Sequence, residues 1–248
     1  MRLARVGTES LGADPANECR ILQLVAAAGL APPILRCDPE ARVLVTRWIT
    51  GACPPAGAVQ GAHHAKLAHV LAGLHALPLR VDVRTVNFAV QANVLEHALR
   101  EDADQRLRTT AAIVFRELAR EPGPSVLCHN DLNAHNIIED AAGRLWLVDW
   151  EYGGRSEAAF DLASCASQHQ MAHAQARHFL QLYRAAGGIC ADERFNWARW
   201  GFDYVQWLWY RAFRSHGDAA EQRLADERAA RLAITLLERA SSLPHCNN

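Results

Sequence analysis

His129-Asn130-Asp131-Leu132-Asn133-Ala134-His135-Asn136-Ile137-Ile138, followed by Leu147-Val148-Asp149-Trp150-Glu151-Tyr152, is the stretch that decides how this chain is read. Polar residues crowd between two apolar β-like runs, and the turn-prone segment Ala141 to Arg144 lies between the runs, the pattern of a hairpin with a polar rim. A turn centred between Ala142 and Gly143 sets Asn136 opposite Asp149. Directly opposed residues hold their Cβ atoms about 5 Å apart, so one amide oxygen and one carboxylate could share a hard cation. Asp131 lies on the loop entering the hairpin, where a carboxylate can accept a hydrogen bond from a substrate hydroxyl. Phosphoryl transfer asks for these parts: a carboxylate to orient the nucleophile and oxygen ligands to hold a divalent cation against phosphates.

Outward from this segment the pattern is α+β. Asp14 and Pro15 read as an N-cap and a first-turn proline, and Ile21, Leu22, Val25 and Ala28 recur at helical spacing until Gly29. Ile34 to Cys37 and Arg42 to Trp48, parted by Asp38-Pro39-Glu40, predict an antiparallel hairpin. The Gly- and Pro-rich run Gly51 to Gly61 reads as a connector. Leu67, Val70, Leu71 and Leu74 mark a helix, weaker helical patterns cover about residues 88–102 and 104–120, and the chain beyond Phe160 is helical to Leu243. The order gives two unequal lobes, residues 1–50 and residues 51–248.

Composition narrows the classes further. With 248 residues, 50% of them hydrophobic, and a net charge of −1, the chain can bury a sizeable core and offers no basic stripe for a nucleic acid. No run approaches the ~20 apolar residues that span a bilayer, and the first residues lack the apolar core of a secretory signal, so a cytoplasmic protein without a membrane partner is expected. The seven cysteines are widely spaced and include no C-x-x-C pair, which predicts reduced, structural thiols. P-loop, Rossmann, serine hydrolase and zincin motifs are absent. Oligomeric state is not legible.

The two patterns H-N-D-L-N-x-x-N and V-D-W-E-Y-G-G resemble the aminoglycoside phosphotransferase and choline kinase superfamily, with its bacterial choline kinase and thiamine kinase branches, and the resemblance covers most of the chain. It implies a protein-kinase-like two-lobed fold with a reduced N-terminal lobe and a helical C-terminal lobe, using ATP and Mg2+ to phosphorylate the hydroxyl of a small molecule. By the same resemblance, Asp131 is the catalytic base, Asn136 and Asp149 are magnesium ligands, and His129 braces the loop. Asp161, in Phe160-Asp161-Leu162-Ala163, supports that loop from the start of a helix. Trp48 falls in the hinge that meets adenine. Arg2 matches the basic strand residue that contacts phosphates, and Glu18 the helix acid that pairs with it. The glycine-rich hairpin that precedes this strand in the family has no counterpart in these residues. A non-catalytic binding module that keeps the fold therefore stands as the alternative.

A choline- or ethanolamine-like acceptor is the first expectation, from D-W-E-Y and the tryptophan-rich segment, with thiamine next and an aminoglycoside third. Within Trp197, Trp200, Tyr204, Trp207, Trp209 and Tyr210 the helical spacing most often means core packing. The sharper reading is a cation–π box near Asp203, with Trp207, Tyr210 and Glu151 as substrate contacts. Taken singly, Asp131, Asn136 and Asp149 are ordinary turn and cap residues. Their order and spacing favour function.

Overall fold

The computed structural model describes residues 2–3, 14–54, 62–99, 104–213 and 218–243, apart from the side chains of Arg2, Leu3, Ala62 and Phe213. Strand β1 (Arg2–Leu3) pairs antiparallel with β3 (Val43–Thr46), which pairs in turn with β2 (Ile34–Asp38). Helix α1 (Pro15–Ala27) lies against β2 and buries Ile21, Leu22 and Val25. Its start is set as the sequence predicts: Pro15 needs no backbone donor there, and the Asp14 side chain accepts the Asn17 N–H at 2.9 Å. Gly29, at φ 70°, ends the helix in a left-handed conformation that suits glycine. A disulfide joins Cys19 on α1 to Cys37 on β2, with 5.9 Å between Cα atoms, which corrects the expectation of wholly reduced thiols at this pair.

Helix α2 is Ala62–His75, and the central hairpin follows later in the chain. Strand β5 (Ser125–Cys128) leads through a 3-10 turn, Ala134–Asn136, into β6 (Ile137–Asp140) and β7 (Leu145–Leu147). β6 also pairs with the short β4 (Gly51–Ala52), and β5 pairs with β8 (Gly154–Glu157), a strand the sequence pattern does not reveal. β8 runs directly into α5 (Ala158–Gln168), and α6 (His173–Ala185) packs on α2.

The hairpin register differs by one residue from the expectation. Ile137 pairs with Leu147 and Glu139 with Leu145, so Asn136 stands opposite Val148, not Asp149. The cause is the loop. Asp140 N–H bonds the Arg144 carbonyl at 3.0 Å, leaving three loop residues, and Gly143 takes φ 75° as the left-handed third residue. The Asp140 side chain closes the loop by accepting the Ala142 and Arg144 N–H groups, each at 3.0 Å. An odd loop length moves the centre of the turn by half a residue and the register by one.

The chain clusters into two compact units, Met1–Val86 with Gly123–Asp192, and Asn87–Pro122 with Glu193–Asn248. A boundary near residue 50 falls inside the first unit. The second contains α3 (Phe88–Leu99), α4 (Gln105–Arg120), most of α7 (Asp192–Phe213) and α8 (Ala219–Ala240). Within it Trp200 and Tyr204 are fully buried and stack at 5.4 Å, and Trp200 Nε1 donates to the Leu236 carbonyl of α8 at 3.0 Å. The α7 stripe at these positions is core. Among the described residues no helix is long and apolar enough to cross a membrane.

Candidate active site

The loop after β5 is built around Asp161, which is 0% exposed near the start of α5. One carboxylate oxygen accepts the His129 N–H at 2.8 Å and the other accepts the Asn130 N–H at 2.6 Å. His75 Nε2 lies 3.1 Å from the first of these oxygens, and His75 Nδ1 lies 2.8 Å from the Tyr183 hydroxyl. Burial drives the Tyr183 phenol well above its usual pKa, so it stays a donor, and His75 can relay from it to Asp161. The buried thiols of Cys128 and Cys165 are held protonated by burial and by the charge of Asp161.

Two further residues of α5 reach the same loop. Ser164 Oγ accepts the Leu132 N–H at 2.9 Å, and Gln168 Nε2 donates to Asp131 Oδ1 at 3.3 Å. Asp161, Ser164 and Gln168 are spaced i, i+3, i+7, so one helix face grips residues 129 to 132. Sequence reasoning found only the first of the three. The signal for the others was a polar stripe through the small-residue helix AAFDLASCASQ.

Asp131 is surrounded by amides. Its Oδ2 accepts from Asn133 Nδ2 at 3.1 Å and from Asn136 Nδ2 at 2.9 Å, while Asn136 Nδ2 also meets the Asp131 carbonyl at 2.8 Å. Burial pushes the Asp131 carboxyl above its usual pKa, and the His129 ring and the three amide donors pull the other way. Because the Asn136 nitrogen is committed to Asp131, the amide oxygen is the atom left over to meet a cation.

His129 joins the loop to the hairpin. Its Nδ1 accepts the Asp131 N–H at 3.3 Å and its Nε2 donates to the Val148 carbonyl at 2.9 Å, with the ring 4.4 Å from that of buried Trp150. Val148 is thus held from both sides, since its N–H bonds the Asn136 carbonyl at 3.0 Å. Asp149 follows directly, with φ 65°. Asn130 also has φ 65°, so left-handed non-glycine backbone precedes Asp131 and recurs at Asp149. Such conformations cost of order 1–3 kcal/mol each and concentrate at functional sites.

Asn17 of α1 also was not foreseen. Its Nδ2 donates to the Gly153 carbonyl at 2.9 Å and its Oδ1 accepts the Arg84 N–H at 2.8 Å, which ties α1 to the segment after Asp149. Glu18, its neighbour, is buried, and Trp48 follows β3 with its side chain 86% exposed. The main chain of Arg2 pairs with Leu44, and its side chain lies outside the described residues. Glu151 is half-buried beyond Trp150, and its carbonyl lies 3.4 Å from an Arg84 guanidinium nitrogen. Trp207 and Tyr210 belong to the second unit, where the Arg211 guanidinium sits 4.7 Å over the Trp207 ring and Arg228 sits 5.4 Å over Tyr210. Asp203 there is paired with Arg239.

A carboxylate loop hung on a helix, running into a hairpin that ends in a second aspartate, defines a kinase-like fold, and comparison with solved structures agrees. The choline kinase LicA from Streptococcus pneumoniae superposes with a TM-score of 0.81 at 23% identity, covering 96% of this chain and 85% of that one. A choline/ethanolamine kinase family protein from Mesorhizobium loti superposes with a TM-score of 0.76 at 25% identity, covering 92% and 80%. The chain belongs to the phosphotransferase enzyme family, whose pattern matches residues 3–202. Thiamine kinase of Escherichia coli (strain K12) is 32% identical over 123 residues, which are 47% of this chain and 43% of that protein. The chain thus matches less than half the length of these curated relatives.

Proposed function

We propose that this protein transfers the γ-phosphate of a magnesium-bound nucleotide to the alcohol of a small organic molecule. The observation that carries the reading is the Asp131–Asn136 pair, a carboxylate held at 2.9 Å by an amide whose oxygen is left for a cation, on a loop fixed by Asp161. Asp131 orients the acceptor hydroxyl and takes its proton, a role for which a base buried among neutral amide donors is suited. Asn136 and Asp149 offer the oxygen donors that Mg2+ prefers and would hold it. When bound, Mg2+ supplies positive charge against the phosphate oxygens. His129 and Asp161 keep the two halves in register. Trp48, Glu18 and Arg2 fall to the nucleotide, with the exposed Trp48 ring available to a base.

For the acceptor, the 32% identity to thiamine kinase moves thiamine level with the choline- and ethanolamine-like alcohols expected from the sequence. Glu151, which lies in the same unit as Asp131, is the candidate acceptor contact. A cytoplasmic setting fits such substrates.

The test is ADP release by the purified protein with Mg-ATP and, in turn, thiamine, choline, ethanolamine and an aminoglycoside. Turnover with at least one, lost in Asp149→Ala, is expected. Nucleotide binding without turnover on any of them would leave the non-catalytic module as the correct reading.

A further inference from the structure

We infer that Gln168 is a positioning residue for Asp131, holding the carboxylate oxygen that Asn133 and Asn136 do not hold. The inference rests on the reading of Asp131 as the group that takes the acceptor's proton. An aspartate χ2 torsion is broad, so backbone placement alone does not orient the carboxylate plane. Here the plane is fixed from two sides. Asn133 and Asn136 occupy Oδ2 at 3.1 and 2.9 Å, and Gln168 reaches Oδ1 at 3.3 Å from the last turn of α5. With two donors already on Oδ2, Oδ1 is the oxygen with capacity left for an incoming hydroxyl. Gln168 therefore touches the working atom.

The residue type matters as much as the reach. An amide donor holds Oδ1 without carrying a charge of its own. A lysine there would tie the carboxylate into an ion pair. A glutamate would face Oδ1 with acceptors alone. Gln168 is also the third rung of the face whose first two rungs, Asp161 and Ser164, hold the loop's main chain. The same helix thus sets the backbone and the side-chain plane of the base together.

Gln168→Leu and Gln168→Glu in the full chain test this, with kcat and KM measured for the acceptor turned over fastest and the denaturation midpoint measured beside them. Gln168→Leu is expected to lower kcat about 10-fold, short of the ~10²–10⁴ that loss of a general base costs, with KM for Mg-ATP and the denaturation midpoint unchanged. Gln168→Glu, which offers Oδ1 no donor, is expected to lose at least as much kcat. Wild-type kcat in both variants overturns the inference, and so does a loss of kcat matched by a rise in KM for Mg-ATP and a lowered midpoint, which a merely structural role would give. Asp131→Asn separates the two claims: wild-type turnover in that variant would defeat the base reading itself, whereas loss of turnover there beside normal Gln168 variants would defeat only the positioning role.

Discussion

His129 Nε2 donates to the Val148 carbonyl at 2.9 Å, so a single imidazole spans from the loop of Asp131 to the strand end that leads into Asp149. Its Nδ1 meanwhile accepts the Asp131 N–H at 3.3 Å. The two carboxylates are therefore set relative to each other through one ring rather than through the hairpin ladder alone.

Replacing His129 by leucine removes that tie while keeping much of the volume against Trp150. Turnover is expected to fall about 10²-fold, as it does for misplacement of roughly 1 Å at reacting groups, with a smaller effect on Mg-ATP affinity. Steady-state kinetics beside nucleotide titration calorimetry would show it, and equal losses in both would contradict the bridging role.

Asp161→Asn turns a double acceptor into a group with one acceptor and one donor facing the His129 and Asn130 N–H groups. The expected cost is about 2–3 kcal/mol, seen as a lowered denaturation midpoint with an unchanged denaturant slope, together with a large loss of kcat. A variant of wild-type stability would mean the loop is held chiefly by other bonds.

Stability should also fall on acidification through His169. Burial lowers this side chain from 6.5 to about 4, a change partly offset by the Leu132 backbone. As pH drops below about 6.5 the unfolded chain gains a proton that the folded one refuses, so stability is lost between pH 6.5 and about 4. The loss from this group is on the order of 2–3 kcal/mol. Thermal melts of wild type and His169→Leu across that range should show a shallower fall in the variant; parallel curves would rule this contribution out.

Reduction of the Cys19–Cys37 bond, which spans 18 residues, should cost about 3 kcal/mol and lower Tm by roughly 5–10 °C. Cys19→Ser should melt where the reduced wild type melts. Thiol titration of the unfolded protein gives the control, with two fewer reactive thiols before reduction than after; equal counts would show that the bond does not form in solution.

The sequence by itself determined the local parts of this protein. Capping at Asp14, the helical periodicity of α1, the strand character of β5 to β7 and the nearness of Asn136 to Asp131 all depend on neighbours a few residues apart, where backbone preference and side-chain spacing act directly. Only the tertiary structure decided the rest. Whether the loop at Ala141 held three residues or four turned on a left-handed Gly143 and the Asp140 carboxylate, and that choice put Val148 rather than Asp149 across from Asn136. The grips of Asp161, Ser164 and Gln168 on residues 129 to 132, of Asn17 on Gly153, and of Cys19 on Cys37 join positions far apart in the chain. No local preference encodes such pairs, because each exists only where packed elements bring its two atoms within bonding distance.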